Sequence, residues 1–192
     1  HGKGSFKRLG RPTYSVQAPE LQEGQRSALV KVLKSRDRVT SLRGVLPVSK
    51  PAVLNEINQA TDEPMALYSA KNINKLLKEP RLLQQEGLLV IDEAQKLGAK
   101  DMADVFQLVD RLEARLVLIA PRRKNDPSEP LQIIEDNGVK TVDILQEMNR
   151  PLTRIVDPKL AERFRHYLKF VKPIRQAEPS HEPQPHFPEP SR

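Results

Sequence analysis

The chain has no cysteine and no tryptophan among its 192 residues, and aromatic residues make up only 4%. The absence of cysteine excludes disulfides, thiolate zinc sites and a cysteine nucleophile. So few aromatic rings leave room for only a small surface on which nucleic-acid bases stack. The four histidines lack the spacing of metal ligands, so no metal site is predicted.

The sequence also lacks any long apolar segment. No apolar run approaches the roughly 18 residues that a membrane-spanning helix needs, so no membrane insertion is predicted. Together with the absence of cysteine, this composition favours the cytoplasm. The formal net charge is +7. A basic domain attracts polyanions, usually nucleic acid, although such a charge also serves solubility alone.

Two stretches at the ends differ in composition from the rest of the chain. Residues 1–17 contain basic but no acidic side chains, which predicts a flexible basic arm. Residues 172–192 are rich in proline and bury too little apolar surface to offset the entropy of ordering, which predicts a disordered linker. The remaining segment, 18–171, is predicted to fold as one lobe.

Helical and strand patterns alternate through that lobe. Apolar side chains recur at helical spacing in residues 21–35, 51–60, 99–114 and 158–171. Continuous apolar runs, typical of strands buried on both faces, occupy residues 87–91 and 116–119, and a further strand pattern covers residues 139–145. Repeated strand–helix–strand units predict an α/β fold with a parallel β-sheet flanked by helices. Ligands of such sheets bind beyond the carboxyl ends of the strands.

One segment at that edge is similar to a phosphate-binding loop, whose pattern is G-x-x-x-x-G-K-[S/T]. Gly44 and Lys50 have the required spacing, but Ser49 replaces the second glycine and Pro51 replaces the magnesium-binding hydroxyl residue. Pro51, like Pro47 within the loop, has no amide N–H to offer a phosphate. Ser49 is predicted to be strained, because glycine is needed where the backbone takes unusual angles. The loop is therefore predicted to be degenerate.

The apolar run that ends at Ile91 continues into Asp92 and Glu93, which is the form of a Walker B motif. In an active motor the aspartate orients magnesium and the glutamate positions the attacking water. Two acids near the start of a helix are favourable for electrostatic reasons as well, so the pair alone does not require that chemistry. The order of strand, acids and downstream helix favours the motor interpretation.

The order and spacing of these blocks resemble the first lobe of a superfamily 1 helicase motor over about residues 20–150. The likeness is greatest to the RecD-like motors of F-plasmid type conjugative relaxase–helicases. In the third block, Pro121 and Lys124 stand where active motors have an aspartate and a glutamine. The resemblance implies a RecA-like lobe of the helicase 1A type that is vestigial. It implies a degenerate nucleotide site at Gln25, Gly44, Lys50, Asp92, Glu93 and Arg150, and candidate contacts to DNA at Ser69, Lys71, Asn72, Arg122, Arg123 and Lys124.

The function expected from this resemblance is a non-catalytic module that contributes to single-stranded DNA binding during plasmid transfer. It needs no cofactor of its own, because ATP and magnesium serve a separate, intact motor of the parent protein. A protein-interaction or secretion-signal scaffold for the type IV secretion machinery is one alternative, and residual ATP binding is another. The expected partners are single-stranded DNA, neighbouring domains of the same polypeptide and the type IV secretion coupling protein.

Overall fold

The computed structural model describes residues 3–80, 83–122 and 129–149. All of them belong to the first of two units of the chain, His1–Arg150, while the second is Pro151–Arg192. The predicted last helix, 158–171, and the predicted linker, 172–192, lie outside the described residues. So do three of the predicted site residues, Arg123, Lys124 and Arg150.

A five-stranded parallel sheet forms the centre of the first unit. Its strands are β1 (Val39–Arg43), β2 (Met65–Ser69), β3 (Leu88–Asp92), β4 (Arg115–Ala120) and β5 (Lys140–Asp143). The described helices are α1 (Glu23–Leu33), α2 (Lys50–Ala60), α3 (Ile73–Lys78), α4 (Ala99–Arg111), α5 (Pro130–Asp136) and α6 (Ile144–Met148). Short 3₁₀ turns cover Ala70–Asn72 and Ala94–Lys96. The strand order is β2-β3-β4-β1-β5, so the predicted α/β fold with a parallel sheet flanked by helices is confirmed.

Two apolar layers lie on opposite faces of this sheet. Successive strand side chains point to opposite faces, so Leu88 and Val90 of β3 join one layer, while Leu89 and Ile91 join the other. Both layers exclude water from the strand, which explains why β3 reads as a continuous apolar run. No helix among the described residues is both long and apolar enough to span a membrane.

Strand β5 is shorter than the predicted strand, residues 139–145, because α6 begins at Ile144. Strand β5 ends at Asp143, whose carboxylate accepts a hydrogen bond from the Leu145 amide at 2.8 Å and so caps α6. Helix α6 then packs closely against α1. A Cβ atom added to Gly24 of α1 would lie only 2.9 Å from the Cα atom of Met148, so this contact requires glycine.

The predicted flexible arm, residues 1–17, requires a correction for the residues that are described. Leu9 is 3% exposed and belongs to the apolar core. The amides of Phe6, Leu9 and Gly10 donate to the carbonyls that follow or end α1, at 2.8 to 3.0 Å. The arm therefore packs on the lobe through backbone hydrogen bonds. Such bonds form whatever the charge of the side chains, so a basic composition neither favours nor prevents them.

The guanidinium of Arg115, at the start of β4, fixes this arm to the sheet. It donates to the carbonyl oxygens of Lys7, Ser35 and Asp37 at 2.9 to 3.1 Å. Its Cζ atom also lies 5.6 Å from the ring centre of Phe6. The buried guanidinium of Arg115 thus connects the arm, the end of α1 and the sheet.

The end of the arm is held by Glu56 of α2, which is 2% exposed. Its carboxylate accepts hydrogen bonds from the Tyr14 hydroxyl at 2.8 Å and from the amides of Gln17 and Ala18. Burial, and then the hydrogen bond and negative charge of Glu56, raise the pKa of Tyr14 to about 12. The phenol therefore stays protonated and keeps donating well above neutral pH.

Replacement of Leu9 tests whether the arm is part of the folded unit. Leu9→Ala removes a core side chain, and we expect it to lower the free energy of unfolding by about 2–5 kcal/mol. Urea denaturation followed by circular dichroism measures this change. The neighbouring exposed variant Arg8→Ala is the control and should differ from wild type by less than about 0.5 kcal/mol. Equal stability of the two variants would show that the arm is free in solution.

Candidate functional site

The strand register aligns the predicted site residues along the carboxyl edge of the sheet. Ser69 lies beside Asp92 across β2 and β3. Arg43 lies between Ala120 of β4 and Asp143 of β5. The loops that follow these strands therefore leave the sheet side by side, as expected for parallel strands.

The loop of residues 44–50, which the sequence predicts to be a degenerate phosphate loop, begins with Gly44 at φ +83°. The Gly44 amide donates to the Ala120 carbonyl at 3.0 Å. The amides of Ser49 and Lys50 both donate to the Leu46 carbonyl, at 3.1 and 3.0 Å. These bonds wind the loop into a turn that leads directly into α2. Amides that a phosphate would need as donors are thus engaged within the protein.

The strain predicted for Ser49 is absent, which corrects that expectation. Ser49 has φ −95° and ψ −8°, in the right-handed helical region that every residue adopts readily. Its hydroxyl donates to the Leu46 carbonyl at 3.2 Å and accepts from the Gln25 side chain at 3.0 Å. The position tolerates serine because the loop here forms a helical turn that leads into α2 and needs no glycine.

Gln25 is buried, with 4% of its surface exposed. Its amide nitrogen donates to Ser49, and its amide oxygen accepts from the backbone N–H of Gln22 at 2.9 Å. This arrangement joins the start of α1 to the start of α2. Gln25 is therefore neither a free surface group nor a group that points into an open ligand site.

Lys50 and Asp92 bind each other across the site. The Nζ atom of Lys50 lies 2.8 Å from Oδ2 of Asp92, and the two side chains are 28% and 21% exposed. The other carboxylate oxygen of Asp92 accepts from the Glu93 amide at 2.8 Å. The side chains that an active motor directs at phosphate and magnesium thus form an internal ion pair.

Glu93 starts the 3₁₀ turn after β3 and has φ +56°. Its carboxylate forms an ion pair with Lys96. The hydrogen bond from Lys96, together with the positive charges of Lys96, Lys71 and Lys50, lowers the pKa of Glu93. Glu93 is therefore a stable anion, which is poorly suited to accept a proton near neutral pH.

Of the six predicted DNA-contacting residues, the structure describes four, of which Ser69 has a structural role and the other three are exposed. The Ser69 hydroxyl accepts from the Lys71 amide at 3.3 Å and caps the 3₁₀ turn Ala70–Asn72. Lys71 and Asn72 are exposed beyond the end of β2, and Arg122 is exposed two residues beyond β4. The structure therefore brings Lys71 and Arg122 to the same edge of the sheet.

A buried ion network, which the sequence pattern does not predict, lies at this edge. Arg43, 1% exposed, donates to both carboxylate oxygens of Glu135 at 2.9 and 3.1 Å and to Glu129 at 3.3 Å. Ser41 also donates to Glu135 at 2.5 Å. The network fixes the strand end that precedes Gly44 against α5. A cation at the end of an apolar strand signals that a partner is needed, but it does not indicate which residue that is.

No cluster of histidine, aspartate and glutamate side chains suited to a metal ion occurs within residues 3–80, 83–122 and 129–149. Neither a protein-family model nor a curated protein matches this chain.

The geometry of the loop predicts that ATP with magnesium does not bind this chain measurably. Its amides are engaged, Pro47 and Pro51 have no N–H, and Lys50 is already paired with Asp92. We expect no saturable heat of binding up to about 1 mM nucleotide in titration calorimetry. A micromolar isotherm that Lys50→Ala abolishes would contradict this.

Proposed function

We propose that this chain is a non-catalytic, single-stranded DNA-binding module of a conjugative relaxase–helicase. In this proposal it works beside neighbouring domains of the same polypeptide in the cytoplasm, while a separate motor hydrolyses ATP. The proposal combines the resemblance of the sequence blocks with the surface chemistry of the carboxyl edge.

The supporting observation is the distribution of charge at that edge. The carboxylates of Asp92, Glu93 and Asp143 each accept a hydrogen bond from a group of the protein. The cations of Lys71 and Arg122 are exposed along the same edge. Ion pairs with Lys50 and Lys96 offset the charges of Asp92 and Glu93, so the exposed cations add positive charge to this edge. Exposed lysine and arginine neutralise phosphates without reading sequence, and the net charge of +7 acts in the same direction.

Fluorescence anisotropy with a labelled oligothymidylate tests this function. We expect a dissociation constant on the order of 10⁻⁴–10⁻⁶ M in low salt that weakens steeply as salt is added. Lys71→Ala and Arg122→Ala should each weaken binding and reduce the slope of log K against log salt by about 0.7, because each removes one phosphate contact.

Lys34 provides the matched control for these two variants. It is exposed at the end of α1, just before β1, and so lies toward the amino edge of the sheet. Lys34→Ala removes the same charge without removing a proposed contact, and the salt slope should stay at the wild-type value. Equal effects of all three substitutions would show that only net charge matters, and no binding in low salt would refute the function.

The exposed edge of the sheet favours protein interaction as a second candidate function. Strand β2 is at one end of the strand order, so one of its sides has no neighbouring strand within the described residues. Its five residues include no charged side chain and no proline, and Leu67 is 46% exposed. Charge, proline and bulges are what usually protect such edges from pairing. This edge therefore suits an extended segment of a protein partner.

A pull-down with the type IV secretion coupling protein tests this second candidate. Leu67→Lys places a charge on the free edge and should abolish capture while leaving the DNA anisotropy unchanged. Ile133→Lys, at a side chain 47% exposed on α5, is the matched control and should retain capture. Equal capture of both variants would show that β2 is not the docking edge.

A further inference from the structure

The loop between β1 and α2 carries an apolar tip made of Leu46, Pro47 and Val48. Leu46 is 56% and Val48 85% exposed, and Pro47 between them is exposed as well. Val48 has the greatest exposure of any large hydrophobic residue that the structure describes. A folded protein gains nothing in stability by displaying such side chains, because burial of apolar surface is what stabilises it.

The tip is held in place by the turn beneath it. Val45 is buried at 5% exposure on one side, and Ser49 at 5% on the other. The Leu46 carbonyl accepts from the amides of Ser49 and Lys50, which fixes the backbone across the tip. The exposure of the two side chains therefore follows from a defined backbone conformation.

The tip adjoins the cations of the carboxyl edge. Strand β1 pairs with β4, where Arg43 is beside Ala120, and Arg122 follows two residues later. Strand β2, which leads to Lys71, is three strand spacings from β1, roughly 14 Å. The apolar tip after β1 thus lies next to Arg122 after β4, and Lys71 lies further along the same edge after β2. A nucleic-acid strand offers both apolar base faces and anionic phosphates to such a line of side chains.

The small size of the tip favours a nucleic-acid strand over a protein surface as its binding partner. A stable protein interface buries about 800 Å² on each partner, whereas this tip offers only three side chains. Small apolar wedges of leucine or proline do serve in the recognition of duplex DNA, where they insert between base steps and contact the base faces.

We propose that Leu46 and Val48 contact the bases of single-stranded DNA while Lys71 and Arg122 hold its phosphates. This inference rests on the proposed DNA-binding function and adds what the strand contacts. The loop that resembles a triphosphate cradle then serves as an apolar base contact.

Binding of two protein variants to two oligonucleotides, compared pairwise, tests the base contact. The full chain and its Leu46→Ser/Val48→Ser variant are titrated by anisotropy with oligothymidylate and with an abasic strand of equal length. We expect the variant to bind oligothymidylate about fivefold more weakly, and the wild type to bind the abasic strand more weakly by a similar factor. The variant should bind both strands alike, and its salt slope should equal that of the wild type because no phosphate contact is lost.

Ile133→Ser removes a similarly exposed apolar side chain from α5 and should behave as wild type with both strands. Thermal melting checks that the variants fold, and Val48→Ser alone replaces the double variant if that one does not. An equal loss on both strands, or no loss on either, would overturn the base contact. Absence of wild-type binding to both strands would overturn the DNA-binding function itself, and so separates the two failures.

Discussion

The two amide groups that donate to the Leu46 carbonyl decide what the carboxyl edge of the sheet can bind. By winding the loop into the first turn of α2, they remove two N–H groups from the set that would surround a phosphate. Pro47 and Pro51 remove two more, because proline has no amide hydrogen. Recognition at this edge therefore depends on side chains, and the exposed ones include the cations Lys71 and Arg122, the amide of Asn72 and the apolar Leu46 and Val48.

Most of the fold is predictable from the periodicity of the sequence. Strands β3 and β4 read as continuous apolar runs because both of their faces are covered, and α4 buries one apolar stripe. Two features are not predictable in this way. Asp143 ends β5 through one side-chain hydrogen bond. Leu9 anchors an arm that is also held by backbone hydrogen bonds and by the side chains of Arg115 and Glu56. Such contacts depend on the position of the chain more than on its residue types.

The sequence predicts only those features of the candidate site that follow from the order of the parallel strands. Parallel strands bring the end of β1 and the end of β3 to one edge, so the spacing of Gly44, Lys50 and Asp92 correctly indicates their proximity. The backbone angles of Ser49 depend on a turn that no motif specifies. The partners of Arg43 lie 86 and 92 residues further along the chain, and tertiary packing alone selects them.

The presence of Lys50 and Asp92 at motif positions has an explanation that needs no nucleotide. Each side chain is largely buried, at 28% and 21% exposure, and each is the counter-ion of the other. Removal of one would leave the other partly desolvated and without its counter-ion, which is unfavourable. The ion pair therefore gives both residues a structural role in this lobe. Their presence at these positions does not require a nucleotide, and the chemistry of the edge has to be inferred from the exposed side chains.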